Sequence, residues 1–316
     1  MVQSAQFTTA AAMLRIGTRG SPLALAQARM VRARLAAAQG VDEERIALTV
    51  IRTTGDIIQD RTLADAGGKG LFTKEIEEAL HANAIDVAVH SAKDMPTVLP
   101  DGLTIAAVLP REDARDVFIS RVAKTLQELR AGAVVGTASL RRQAIVKRLR
   151  PDLEVVPIRG NVETRLRKLD EGVVDATLLA LAGLKRLGLT HALTSIFAVE
   201  EFLPAVGQGI VAIETRADDH ATRTLLAAIN HAETETALAA ERAFLAVLDG
   251  SCRTPIAGHA VIATGRLRFC GLIAKPDGSE SFECMREGPV GEAVALGHDA
   301  GAELKARAGA DFLATV

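Results

Sequence analysis

The sequence predicts an α/β protein with two similar lobes around a cleft, followed by a small C-terminal α+β domain. Three observations predict it. First, short apolar strands alternate with helix-patterned stretches through most of the chain. Second, two β-α-β-α-β units resemble each other at an offset of about 90 to 120 residues. Ile16-Gly-Thr with Ser21 answers Val135-Gly-Thr with Ser139, and Ile85-Asp-Val-Ala-Val answers Val174-Asp-Ala-Thr-Leu. Third, the pattern changes after Asn230 to one long helix, alternating apolar runs and a last helix. At 316 residues the chain exceeds one ordinary core, so two or three domains are expected. Lobe 1 is assigned to 13–109 and 210–227, lobe 2 to 115–203, and the third domain to 230–316. Residues 1–12 read as a loose extension.

Each element has a local cause. Met13 to Thr18 opens a strand; Ser21 then caps, and Pro22 begins, a helix over Leu23 to Ala38, where proline's missing N–H costs nothing. Leu48 to Arg52 reads as a strand ended by Thr53-Thr-Gly-Asp56. Ala64 to Phe72 carries paired glycines around Lys69 and reads as a mobile loop, without P-loop spacing. Thr73 to Ala82 is an amphipathic helix that leads into the buried strand Asp86 to His90. In the second unit, Ala133 to Thr137 is a strand and Leu140 to Leu149 a helix, capped by Ser139 and halted by Pro151. Glu154 to Ile158 is a strand, Asn161 caps a helix through Leu169 closed by Gly172, and Val174 to Ala180 is a buried strand. Ala106 to Arg115 and Leu203 to Gly209 are the expected crossings between lobes, with Ile210 to Glu214 one more strand. Asn230 to Leu248 is a helix. His259 to Ala263, Arg266 to Ile273 and Glu280 to Met285 suggest a small antiparallel sheet, and Glu292 to Ala306 a final helix.

Composition excludes several functions. The net charge of −2 supplies no basic field for nucleic acid, and the absence of Trp and Tyr removes most stacking platforms. No apolar run is long enough for a membrane span. Met1 to Met13 lacks a basic n-region, so no secretory signal is expected. Cys252, Cys270 and Cys284 form no CxxC pair, which argues for a reducing compartment and against a zinc or disulfide framework. The histidines form no metal-binding group, so no metal is expected.

Three groups of residues carry candidate chemistry. The strand Asp86 to His90 hands the chain Lys93 and Asp94 at its carboxyl end, where chemistry collects in open α/β sheets. Alone, Asp94 reads more readily as a solvated loop charge than as a catalyst. Arginine recurs at strand-to-helix junctions, at Arg19, Arg141, Arg142 and Arg159, with Arg165 a turn further on and Lys185 and Arg186 after the strand ending at Ala180. Arginine binds carboxylates or phosphates bidentately, so the set calls for a ligand with several anionic groups. Cys252 sits in a loop beside Arg253, where cationic charge favours its thiolate. With no histidine nearby in sequence, it reads as a covalent attachment point. Cys270 and Cys284 lie in strand-like runs and read as core thiols.

Several motifs resemble, in order, the porphobilinogen deaminase (hydroxymethylbilane synthase) family: Gly17-Thr-Arg-Gly-Ser-Pro-Leu-Ala-Leu, Gly67-Gly-Lys-Gly-Leu-Phe, Ala88-Val-His-Ser-Ala-Lys-Asp-Met-Pro, Gly136-Thr-Ala-Ser-Leu-Arg-Arg, Arg159-Gly-Asn-Val-Glu-Thr-Arg, Leu203-Pro-Ala-Val-Gly-Gln-Gly and Gly250-Ser-Cys. The resemblance implies a transferase of tetrapyrrole biosynthesis that condenses four porphobilinogen molecules head to tail, with loss of ammonia, into hydroxymethylbilane. It implies periplasmic-binding-protein-like lobes with mixed sheets, and a dipyrromethane cofactor attached through a thioether to Cys252. Asp94 matches the catalytic aspartate, which would stabilise the azafulvene cation left when ammonia departs, and Lys93 beside it is expected to share the catalytic role. Arg19, Arg141, Arg142, Arg159, Arg165 and Arg186 match positions that bind pyrrole carboxylates, joined by Ser21, Lys93, Ser139 and Gln208. Lys69 and Phe72 would cover the site. The resemblance further implies a cytoplasmic monomer that passes its product to the next tetrapyrrole enzyme. Asp65 and Arg253 depart from the family pattern. A two-lobed small-anion-binding protein without catalysis is the alternative; an acyl-transfer enzyme built on Cys252 lacks a visible base.

Overall fold

The computed structural model describes residues 12–57, 72–248 and 255–314. The first sheet is built from β1 (Leu14–Thr18), α1 (Pro22–Gln39), β2 (Ile46–Val50), α2 (Thr54–Ile57), α3 (Lys74–His81), β3 (Val87–Ser91) and β4 (Leu103–Val108). The second comprises β5 (Asp116–Ser120), β6 (Val134–Gly136), α4 (Leu140–Leu149), β7 (Glu154–Val156), α5 (Val162–Asp170), β8 (Ala176–Ala180), α6 (Leu181–Leu187) and β9 (Ser195–Ile196). The chain then returns through β10 (Val211–Arg216) and α7 (His220–Ala227) to the first lobe. The last part holds α8 (Ala232–Val247), β11 (Ile256–Ala263), β12 (Arg266–Ala274), β13 (Ser281–Pro289) and α9 (Ala293–Ala314).

The two five-stranded sheets have matching orders, β2-β1-β3-β10-β4 and β7-β6-β8-β5-β9. In each, parallel strands on one side meet an antiparallel strand that has just arrived from the other lobe: β10 beside β3, and β5 beside β8. The lobes are therefore similar α/β bodies with mixed sheets. The buried strands read as apolar runs because helices cover both faces. On one face of the first sheet α1 packs Ala28, Val31 and Leu35 against Val87 and Val89; on the other α3 packs Ile76 and Leu80 against Ala88.

The third domain is a three-stranded antiparallel sheet, β11-β12-β13, covered by α8 and α9. Gly297 and Gly301, one turn apart on α9, bring that helix against α8; a Cβ on Gly301 would stand 2.9 Å from the Phe244 carbonyl oxygen. Phe244 and Phe269 fill the resulting core with ring centroids 4.9 Å apart.

The crossings between lobes are pinned to this domain through Glu241 of α8, which is completely buried. Arg111 of the first crossing donates to it at 2.5 Å, Gly207 N–H of the second at 2.6 Å and Ala260 N–H of β11 at 2.8 Å. The crossings also bond each other, Glu112 N to Gly209 O at 3.1 Å. Gly209 has φ +87°, and a Cβ there would collide with the Glu112 carbonyl oxygen. Both glycines of Gly207-Gln-Gly209 are thus required by close backbone approach.

Boundaries depart from expectation where pairing overrides local propensity. The second strand is Ile46–Val50 rather than 48–52, because its ladder with β1 ends at Thr18↔Val50. The strand expected over Glu154 to Ile158 stops at Val156, one residue before Pro157. The last helix continues to Ala314, with a break in helical geometry at Gly309. Helices α2, α6 and α7 and strands β5 and β9 form where the local pattern predicts none, and β4 runs to Val108, inside the crossing expected from Ala106.

Candidate active site

The parallel strands β1 and β3 end side by side, and their carboxyl ends carry the first half of the site. Beyond Ser91 the chain makes one 3-10 turn, Ala92–Asp94, with Ala92 and Met95 buried on either side. That turn projects Lys93 and Asp94 into a cleft of ≈ 720 Å³ between the lobes. Beyond β1 lie Arg19 and Ser21; Ser21 caps α1 by accepting from Ala24 N at 3.3 Å. The second lobe presents the starts of α4 and α5. Ser139 accepts from Arg142 N at 3.4 Å and Asn161 from Thr164 N at 2.8 Å. Three helix N-termini therefore open toward one cavity, an arrangement that favours anions.

The cleft wall is strongly cationic. Among the described residues that line it, Arg19, Arg52, Lys93, Arg142, Arg159 and Arg165 face Asp56, Asp94 and Glu163, six cations against three carboxylates. Burial pushes Arg165 down to about 10; neighbouring Arg142 and Arg159 add to this, and Asp94 opposes it. Its Nε donates to Gly160 O at 2.9 Å. Burial likewise pushes Lys93 down to about 8, assisted by Arg142 and Arg141 and opposed by Asp94 and Asp116.

Behind the wall sits a network that sequence reasoning missed. Asp116 of β5 is fully buried and accepts from Arg141 at 2.7 Å and from Arg142 at 2.6 Å. Burial opposes its charge, but the two guanidiniums overcome this and hold it at about 2. Gln208 donates to Asp116 at 3.1 Å and to Ala114 O at 2.6 Å, while its Oε1 accepts from Lys93 Nζ at 3.4 Å. Asp116 thus ties the arginines of α4, through Gln208, to the lysine beside Asp94. The signal was present: an acid that opens the apolar run Asp116-Val-Phe-Ile must find cations if it is buried.

The expected site residues divide accordingly. Arg19, Ser21, Phe72, Lys93, Asp94, Arg142, Arg159 and Arg165 line the cleft. Arg141 does not: its Nη1 donates to Leu203 O at 2.7 Å and its Nη2 to Asp116, so both groups point into the core. Ser139 acts as a helix cap, and Gln208 and Arg186 stand behind the lining. Arg186 donates to Gly209 O at 2.7 Å. Lys69 and Cys252, and the departures Asp65 and Arg253, lie outside the described residues. Sequence reasoning also passed over Arg52 and Asp56, both on the cleft wall. Lys185 pairs with Glu112 at 2.7 Å and does not line the cleft.

Cys270 and Cys284 are half-buried, and burial raises both thiols, Cys284 to about 11. Among the described residues no group of three or more His, Cys, Asp or Glu could hold a metal ion, and no helix is long and apolar enough to cross a membrane.

Two family models match successive parts of the chain. Residues 14–224 match the family described as porphobilinogen deaminase, dipyromethane cofactor binding domain, and residues 236–306 match its C-terminal domain. The chain is 64% identical over 297 residues to a porphobilinogen deaminase of Nitrobacter winogradskyi, covering 94% of each. It is 63% identical to that of Nitrobacter hamburgensis, again over 94% of both chains. Among solved structures, the methionine binding protein MetQ aligns over 70% of this chain and 91% of its own, at 16% identity and a TM-score of 0.44.

Proposed function

The chain belongs to the porphobilinogen deaminase family, and on that premise we propose how its cleft divides the work of the reaction. The protein is a transferase of tetrapyrrole biosynthesis that condenses four porphobilinogen molecules into linear hydroxymethylbilane. In each round a C–N bond breaks and ammonia leaves. A C–C bond then forms to the free α-carbon of a pyrrole, and that carbon gives up its proton. Release of the finished four-pyrrole chain takes up one water, the source of its terminal hydroxyl. Positive charge develops on the substrate's methylene as ammonia departs. Asp94, placed by the β3 turn within the cleft, stabilises that charge and accepts pyrrole N–H bonds.

The observation that carries this reading is the cation surplus facing Asp94 from both lobes. Every pyrrole of substrate and product bears an acetate and a propionate. Such a chain calls for a surplus of cations around the reacting carboxylate, and the cleft offers six cations against three carboxylates, one of which, Asp56, is paired with Arg19. Arg19 and Lys93 hold carboxylates from the first lobe; Arg142, Arg159 and Arg165 do so from the second. Gln208 keeps Lys93 in place, and Arg141 and Ser139 keep the start of α4 in place.

The matching cofactor-binding domain and this polycarboxylate-ready wall fit a dipyrromethane. When bound, the group supplies the pyrrole α-position on which the chain grows. We assign its thioether attachment to Cys252, and cover of the site to Lys69 and Phe72. The same reading makes the protein a cytoplasmic monomer that passes its product to the next tetrapyrrole enzyme. A two-lobed anion-binding protein without catalysis is not favoured, since both relatives carry the name of the enzyme. The test is Asp94→Asn, assayed for ammonia release from porphobilinogen. The variant should fold and keep its pyrrole adduct while losing most turnover; near-normal turnover would remove Asp94 from this role.

A further inference from the structure

We propose that Asp56 is a positioning residue for Arg19, holding one edge of the guanidinium so that the opposite edge meets a substrate carboxylate. The proposal rests on the reading of the cleft as a site for carboxylated pyrroles. Arg19 donates through Nε to both Asp56 oxygens, at 3.1 and 3.3 Å, and through Nη2 to Asp56 Oδ1. The acid is itself fixed. Thr53 Oγ1 donates to Asp56 Oδ2 at 2.8 Å, and Asp56 N donates to Thr53 O at 3.0 Å. Thr53 is completely buried, so this clamp belongs to the body of the lobe. The face of Arg19 is fixed too, with its guanidinium carbon 4.1 Å from the centroid of Phe72.

These contacts consume a particular part of the side chain. A guanidinium has five N–H donors. Asp56 takes the edge formed by Nε and Nη2. Among the described residues nothing accepts from Nη1. The edge formed by Nη1 and the second hydrogen of Nη2 is left, and that edge can bind a carboxylate bidentately. Arg19 lines the cleft, so a ligand carboxylate has access to it. The pair with Asp56 also cancels most of the local charge. Arg19 therefore contributes direction, while neighbouring Arg52, which is exposed and also lines the cleft, contributes attraction.

The opposite arrangement would make Asp56 a competitor that substrate must displace, and kinetics separate the two. We expect Asp56→Ala to raise KM for porphobilinogen by about tenfold while kcat falls much less, because binding rather than chemistry loses its geometry. Asp56→Asn keeps an oxygen acceptor for the same edge and should recover part of that loss. In Arg19→Lys the fork is gone, so adding Asp56→Ala should cost little more. A lower KM in both Asp56 variants, an unchanged KM, or fully additive losses would overturn the proposal. Wild-type ammonia release is measured alongside. Its absence sinks the functional reading, whereas normal wild-type release with an unaltered KM in Asp56→Ala sinks this proposal alone.

Discussion

Arg142 and Asp116 meet where the cleft ends and the core begins. Arg142 Nε and Nη2 donate to the same Asp116 oxygen, at 3.1 and 2.6 Å. Arg141 takes the other oxygen at 2.7 Å. A wholly buried carboxylate is tolerable only with such partners. The arrangement makes the position of a cleft arginine depend on a residue that no substrate touches.

Removing the Asp116 charge strands two buried cations. Asp116→Asn is expected to lower stability by about 3–5 kcal/mol in urea unfolding near neutral pH. The pH dependence follows from the pair. Asp116 titrates at about 2 in the folded protein against a free value of 3.8, so its folded pKa is depressed. Its contribution is fully present above about pH 4 and is lost as pH falls toward about 2, an effect of about 2 kcal/mol. The stability gap between wild type and Asp116→Asn should narrow across that window. A gap of constant size would contradict the assignment.

Lys93 gives a prediction at the other end of the scale. Burial lowers it to about 8, so it is cationic below that pH and neutral above. If its charge holds a pyrrole carboxylate, KM for porphobilinogen should climb as pH passes about 8. Lys93→Arg stays charged there and should flatten the climb. Identical alkaline profiles for both proteins would exclude the role.

Glu241 joins two lobes and a third domain with one buried carboxylate. Glu241→Gln leaves Arg111 without its charge partner and weakens the hold on Gly207. A loss of about 3–5 kcal/mol is expected from chemical denaturation. A loss within about 0.5 kcal/mol, as for a surface substitution, would show that the crossings do not depend on it.

Gly209 tests the crossings by sterics alone. Its φ of +87° and its contact with the Glu112 carbonyl leave no room for a side chain. Gly209→Ala should lower stability by about 1–3 kcal/mol, through strain and the disturbed Glu112 bond. An unchanged melting temperature would contradict the close approach.

The repeated βα units and the helix caps Ser21, Ser139 and Asn161 were legible in the sequence because their causes lie within a few residues. Asp94 was legible as the end of an apolar strand. What was not legible depends on pairing at a distance. Adjacent Arg141 and Arg142 look equivalent in the chain, and both are held on Asp116, with Leu203 O accepting from Arg141 and Leu178 O from Arg142. Only Arg142 also reaches the cleft lining, a difference set by these distant partners and not by local sequence. Asp56 lies 37 residues from Arg19, and its role as that residue's clamp emerges only when β1 and β2 pair. Strand β5 escaped notice because a charged residue opens it and its place in the sheet is set by strands from elsewhere in the chain.

The central claim is that a pyrrole primer tethered at Cys252 works against Asp94. Intact mass of the purified protein tests it most directly. Wild type should carry a dipyrromethane adduct that is absent from Cys252→Ser. A wild type that turns over porphobilinogen at full rate with an unmodified mass would contradict the account.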